Sequence, residues 1–234
     1  MFKPRASRNT RKMSLTVKIC GLSTPETLDA ALDAGADMVG FVFFPPSPRH
    51  LQFERARSLG ERVRGRAQKV ALTVDADDAF LQSVVDALHP DILQLHGAEG
   101  LPQLAAIRRK FGLPMMKAVP IAVKTDLDRI AVYAAAADRL LFDARAPRDA
   151  TRPGGLGNTF DWRLLENVRT DVPFMLSGGL DVGNVAEALR ITRASGIDVS
   201  SGVERAPGVK DIDRIVDFIR AARAAAAQQV HPVA

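Results

Sequence analysis

Thr16-Val17-Lys18-Ile19-Cys20-Gly21-Leu22 begins as a short apolar strand and ends in a glycine turn. Thr16, Val17 and Ile19 are strand formers, and Gly21 and Leu22 open the way into a helix. Cys20, the only cysteine of the chain, is the last strand residue and has Lys18 nearby. Two readings of it stand open. A free cysteine in a strand behaves as a small hydrophobe and fills core space. At the carboxyl end of a strand in a parallel α/β sheet, it lies where such folds bind ligands and do chemistry.

Downstream, short apolar runs alternate with amphipathic helical stretches. Thr24 and Pro25 start a helix that runs to Ala34, with Leu28, Ala31 and Leu32 on one face and Gly35 as its stop. Further strands are expected at Met38–Phe44, Val70–Val74, Ile92–Leu95, Met115–Val119, Leu140–Asp143, Phe174–Ser177 and Ile197–Ser200. A second helix carries Phe53, Ala56, Leu59 and Val63, and a third follows the acidic cluster Asp75, Asp77 and Asp78. That cluster reads most simply as capping and charge-matching the third helix. Helices are also expected over Glu99–Phe111 and Leu127–Ala136, and from near Asp161 and Trp162. A seventh carries Val185, Ala188 and Leu189, and the last sets Ile212, Ile215, Val216 and Ile219 on one stripe. Eight strands joined by eight helices predict a parallel sheet covered by helices. Eight such units close into a single-domain (β/α)8 TIM barrel more naturally than into an open sheet. No Gly-x-Gly-x-x-Gly turn follows the first strand, which counts against a dinucleotide fold.

Composition narrows the partners. The 234 residues, 47% hydrophobic, suffice for one large core, and no apolar run approaches the ~18 residues that mark a membrane span. One cysteine excludes an intramolecular disulfide and fits a reducing cytoplasm. The net charge of +5 resides in residues 1–13, which hold five basic and no acidic residues; the remainder has 27 of each. A neutral body carries no electrostatic footprint for nucleic acid. The arm lacks the apolar stretch of a secretory signal and is short for a transit peptide. The expected organisation is a basic, disordered arm over 1–13 (or a natural start at Met13), a barrel over 14–227 and a tail over 228–234.

The candidate site residues all lie at strand ends. Strands seven and eight finish in Ser177-Gly178-Gly179 and Ser200-Ser201-Gly202. Small residues there let backbone N–H groups approach an anion, and a short helix start adds a favourable dipole. Tight turns without a ligand are the alternative for either motif alone; both together, at the usual barrel phosphate position, point to a phosphorylated small molecule. Asp143 ends strand six, and the loop of about fifteen residues beyond it contains Gly154-Gly155-Leu156-Gly157, a length and composition suited to a lid. Asp143 facing Cys20 across the mouth would make an acid–base pair; the competing reading is a capping or salt-bridged aspartate. Arg49 offers a fork that matches a carboxylate with two parallel hydrogen bonds, or is a surface arginine. His96 reads as orienting the strand-four turn.

These residues stand in a pattern that resembles the phosphoribosylanthranilate isomerase family. It is carried by KICG, GADMVGFVFFPPSPRHL, LQLHG, LLFDA, GGLGNTFDW, LSGGL with NVAEAL, and DVSSGVE followed by PGVKD, spread from Val17 to Phe218. The resemblance implies an intramolecular oxidoreductase of the aldose–ketose type in tryptophan biosynthesis, with neither metal nor organic cofactor. Its reaction is the Amadori rearrangement of N-(5-phosphoribosyl)anthranilate. By motif position Cys20 resembles the general base, Asp143 the general acid and Arg49 the residue that grips the anthranilate carboxylate. Gly178, Gly179, Ser200, Ser201 and Gly202 resemble the phosphate cradle, with Asp198 leading into its second half. The resemblance leaves monomer and homodimer both open.

The chain departs from the family pattern at Leu156 and Asn158, where a lid hydroxyl and a lysine are common, and at Arg205, where a small residue is usual. The strand-three end TVDAD also differs. The nearest alternative is the histidine-pathway aminoimidazole carboxamide ribotide isomerase, whose members carry an aspartate where this chain has Cys20. A pentose-phosphate epimerase would want metal-ligand His and Asp at several strand ends, and only His96 is available. A non-catalytic phosphosugar-binding barrel needs neither Cys20 nor Asp143.

Overall fold

Strand β1 (Thr16–Cys20) pairs in parallel with β2 (Met38–Phe43) on one side and with β8 (Gly196–Val199) on the other, which closes the sheet. A computed structural model describes residues 15–147 and 149–230. The expected arm over 1–13 lies outside the described residues, as do 231–234. Between β2 and β8 run β3 (Gln68–Thr73), β4 (Ile92–Leu95), β5 (Met115–Ile121), β6 (Arg139–Ala144) and β7 (Phe174–Leu176), giving a closed barrel of eight parallel strands in sequence order.

The helices outside follow from local signals. Thr24 caps α1 (Pro25–Asp33) by accepting the Thr27 N–H, with Pro25 in the first turn. Next come α2 (Phe53–Val63), α3 (Asp78–Leu88), α4 (Leu101–Phe111) and α5 (Asp128–Ala134). Asp77 caps α3 through the Phe80 N–H at 2.8 Å, and Asp78 sits in its first turn. Asp75 does neither: at φ +46° it accepts the Ala98 N–H at 2.7 Å and ties the β3 end to the loop after β4. Glu99 lies before α4, not in it, and forms a buried ion pair with Lys117 at 2.9 Å.

Beyond β6 the expected sixth helix does not form. The lid consumes most of that connection, and what remains is a single 3-10 turn, Trp162–Leu165, begun by Asp161. The barrel is therefore wrapped by seven α-helices among the described residues, completed by α6 (Val185–Thr192) and α7 (Ile212–Val230). Residues 228–230 of the expected tail continue α7. An unforeseen antiparallel hairpin, β9 (Glu204–Ala206) and β10 (Val209–Lys210), intervenes between β8 and α7. Its Pro207-Gly208 turn, with Gly208 at φ +81°, matches the type II requirement for a glycine after proline.

Two apolar clusters show how each strand divides its side chains. Val17, Ile19, Val39, Ala71, Leu93, Leu140 and Phe142 pack outward against the helices. Met38, Val70, Ile92, Met116, Leu141 and Met175, each one residue out of step, fill the barrel interior. Two residues further along the same interior rows lie Gln94 and then His96, Asp143, Ser177 and Asp198; Lys18 and Cys20 occupy that face of β1. Alternation thus delivers a polar layer to the carboxyl end, above an apolar plug.

Candidate active site

Cys20 ends β1 opposite Gly40 in register, and a side chain on Gly40 would stand 2.9 Å from the thiol sulfur. The glycine is what leaves room for it. Lys18 pairs at 2.9 Å with Asp198, its register neighbour on β8. Burial pushes the Cys20 thiol above the ordinary cysteine range, Asp198 adds to that, and the nearby Lys18 and Lys210 only partly offset it. Against the pull of burial, Asp198 and Cys20 hold the Lys18 ammonium above its usual range. Asp198 is thus the partner of an interior lysine at the cleft floor.

Asp143 is buried near the end of β6. Its Oδ1 accepts the Ala144 N–H at 3.0 Å, and its Oδ2 lies 3.1 Å from His96 Nε2. The Gln94 amide nitrogen donates to His96 Nδ1 at 2.9 Å, which leaves Nε2 as the N–H aimed at Asp143. His96 therefore orients the carboxylate across the barrel, not the strand-four turn.

The lid lies over both. A methyl on Gly154 would stand 2.6 Å from Asp143 Oδ2 and 2.7 Å from His96 Nε2. Gly155, at φ +69°, would bring one within 2.5 Å of Arg49 Nη1. Two glycines are needed because the acid and the guanidinium come up directly beneath the loop.

Arg49 is buried and held from the side by Glu204 of β9: Nε donates to Oε1 and Nη2 to Oε2, each at 2.7 Å. Lys210 of β10 donates to the same Oε1 at 2.8 Å, to the Ser200 carbonyl at 2.8 Å and to Ser200 Oγ at 3.2 Å. Ser200 Oγ in turn donates to the Cys20 carbonyl at 3.1 Å. One chain of contacts therefore links Arg49, the β8 turn and Cys20. Burial lowers the Lys210 ammonium to about 8, with Glu204 opposing and Arg49 adding to the shift. Although burial works the other way, Arg49 and Lys210 keep the Glu204 carboxyl below its usual range.

Cys20, Arg49, Asp143, Asp198, Ser200, Ser201, Gly178 and Gly179 all line one cleft of about 780 Å³, walled on another side by Val42, Phe44, Leu72 and Val74. Gly178 and Gly179 have φ of +91° and +63°, conformations that favour glycine. Gly202 stands apart from the lining: a Cβ there would run into the Leu180 carbonyl, so its smallness serves the packing of the two turns. The helix start expected after Ser200 is only a three-residue 3-10 turn, Ser201–Val203. Among the described residues no group of three or more His, Cys, Asp or Glu could hold a metal ion. Sequence reasoning missed Glu204 and Lys210, and underrated Lys18 and His96. A lysine inside an apolar strand was the available signal for Lys18; Glu204 and Lys210 stand in the DVSSGVE and PGVKD segments, but only the hairpin brings them to Arg49.

Comparison with known proteins agrees with this geometry. The family model for N-(5'-phosphoribosyl)anthranilate isomerase matches residues 17–221. The isomerase of Nitrobacter winogradskyi is 68% identical over 213 residues, covering 91% of this chain and 95% of the relative. That of Bradyrhizobium diazoefficiens is 69% identical over 212 residues, covering 91% and 95%. The crystal structure of the Thermotoga maritima isomerase superposes with a TM-score of 0.81 at 34% identity, covering 90% of this chain and 99% of that one. An isomerase solved in complex with reduced 1-(o-carboxyphenylamino)-1-deoxyribulose 5-phosphate superposes with a TM-score of 0.77 at 31% identity, covering 90% and 99%. The chain belongs to the N-(5'-phosphoribosyl)anthranilate isomerase family.

Proposed function

We propose that this protein converts N-(5-phosphoribosyl)anthranilate to 1-(2-carboxyphenylamino)-1-deoxyribulose 5-phosphate, a step of tryptophan biosynthesis, with Asp143 as general acid and Cys20 as general base. The observation that carries the roles is the convergence of a buried carboxylate and a buried thiol on one cleft, beside an arginine and two glycine–serine turns.

In its protonated form Asp143, positioned beside His96, gives a proton to the furanose ring oxygen as the C1–O bond breaks, leaving an iminium between C1 and the anthranilate nitrogen. Cys20 as thiolate takes the C2 proton, and the electron pair moves to give an enolamine. Proton return to C1 and loss of the 2-hydroxyl proton complete the keto product. Acid and base must act at different atoms, and strand ends on different sides of a barrel mouth provide that separation. The turns at Ser177–Gly179 and Ser200–Ser201 hold the phosphate, and Arg49 receives the aromatic carboxylate. Burial holds the thiol high, so Lys18 and Lys210, which oppose that shift, are the groups that help generate the base.

A reducing compartment such as the cytoplasm suits an enzyme whose one cysteine must stay a free thiol. No described helix is long and apolar enough to cross a membrane. The test is conversion of freshly prepared phosphoribosylanthranilate, followed by loss of its anthranilate-type fluorescence. Turnover by the wild type and none by a Cys20→Ala, Asp143→Asn double variant is the expected result; no turnover by the wild type would overturn the reading.

A further inference from the structure

The carboxylate fork expected of Arg49 is largely occupied. Its Nε and Nη2 edge is taken by Glu204, and Nη2 also donates to the Gly155 carbonyl at 3.1 Å. Nη1 has no hydrogen bond to the described residues and is what remains for a ligand. A second guanidinium reaches the same carbonyl from the lid: Arg152 Nη2 lies 3.5 Å from Gly155 O. Arg152 lines the cleft with Arg49, and its Nε is buried with no hydrogen-bond partner among the described residues.

The charges around this point do not balance. Arg49 and Lys210 already share one carboxylate, Glu204, and Arg152 has no ion-pair partner among the described residues. The lid's glycine run supplies no cation of its own, since Leu156 and Asn158 fill its other positions. Arg145, another arginine of the cleft lining, is spent on Asp126. A buried N–H without a partner and two guanidiniums meeting at one carbonyl are both relieved by an anion placed between them. The same cleft is also lined by Val42, Phe44 and Leu72, an apolar surface that suits an aromatic acid.

Resting on the isomerase reading above, we propose that Arg152 is a second substrate-binding guanidinium, which with Arg49 Nη1 clamps the anthranilate carboxylate beneath Gly154 and Gly155. It sets affinity for the aromatic acid and leaves the phosphate contacts and the proton transfers untouched.

The experiment compares full-length wild type with Arg152→Leu, Arg152→Gln and Arg152→Lys, using phosphoribosylanthranilate as substrate and ribose 5-phosphate as an inhibitor that lacks the carboxylate. Arg152→Leu and Arg152→Gln are expected to raise KM about 10- to 50-fold, the scale of a charge-assisted hydrogen bond, with kcat within about threefold. Arg152→Lys, which keeps the charge and loses the fork, should fall between them and wild type. The inhibition constant of ribose 5-phosphate should stay within about twofold, because the phosphate turns are elsewhere. KM unchanged in variants that melt like wild type overturns the proposal, and so does a ribose 5-phosphate constant that rises in step with KM. Should one neutral variant not fold, the other carries the same comparison. Failure of the wild type to turn over phosphoribosylanthranilate removes the parent reading; wild-type turnover with indifferent Arg152 variants removes this inference alone.

Discussion

Glu204 holds Arg49 by two parallel hydrogen bonds of 2.7 Å, both side chains buried, across 155 residues of chain. The pair makes Arg49 a fixed element of the cleft wall before any ligand arrives. The entropy of ordering its long side chain is spent in folding, which leaves less to lose on binding.

Removing the carboxylate should therefore cost stability first. Glu204→Gln leaves Arg49 and Lys210 facing each other without a counter-charge, and breaking a buried pair from one side typically costs about 3–5 kcal/mol. Urea unfolding should show that loss, with part of it recovered in Glu204→Gln, Arg49→Met. A Glu204→Gln protein as stable as wild type would mean that the pair contributes little.

Arg49→Met should raise KM for phosphoribosylanthranilate by about one to two decades, toward the lower end because only Nη1 is open to the ligand. An unchanged KM, with inorganic phosphate inhibiting normally, would remove Arg49 from substrate binding.

Cys20→Ala and Asp143→Asn should each lower kcat by at least ~10²-fold with binding largely retained. The pH profile carries a sharper signature. Burial raises the Cys20 thiol above its ordinary range, so at neutral pH the free enzyme holds it protonated and unable to accept the C2 proton. Raising the pH ionises it progressively between about pH 7 and 9, and alkylation reads that ionisation directly, without the acid step that turnover also needs. Iodoacetamide should react slowly at neutral pH and faster over the same interval. Alkylation as fast at about pH 6 as at about pH 9 would contradict a thiol held protonated by burial.

Gly154→Ala tests the fit of the lid. The added methyl would meet both Asp143 Oδ2 and His96 Nε2, so either the loop lifts or the pair is displaced. We expect kcat/KM to fall about tenfold or more, on the scale of losing a positioned acid, with the melting temperature nearly unchanged. Equal activity in the variant would show that the loop does not bear on the acid during turnover.

The phosphate position is best probed at Ser201. Gly179→Asp is a poorer choice, because any side chain there would strike Thr159 of the lid connection at 2.5 Å. Ser201→Asp, which adds like charge to the cleft lining, should abolish inhibition by inorganic phosphate, while Ser201→Ala should keep most of it. Undiminished inhibition of the aspartate variant would place the anion elsewhere.

Much of this was readable before any fold was drawn. Apolar runs, the Thr24 cap, the glycine stops and the strand-end motifs are local signals, and they predicted eight strands in the observed order. They failed where a connection had to be shared. Between β6 and β7 the helix expected from near Asp161 is replaced by a 3-10 turn, Trp162–Leu165. The hairpin of β9 and β10 is too short to show a period, and so Glu204 and Lys210 stood in quoted motifs without a role.

The sequence by itself determined which chemical groups stand at the strand ends: a thiol, a carboxylate, an arginine and two glycine–serine turns. It could not show which side chains on each strand face inward. Barrel strands are buried on both faces and read as continuous apolar runs without alternation. Only closure assigned Val17 and Ile19 to the helix layer and set Lys18 beside Asp198, 180 residues away. The same closure aimed His96 at Asp143 and raised the thiol of Cys20 by burying it. Residue identity is local, but contact, desolvation and charge pairing depend on distance, and distance is set only when the sheet closes.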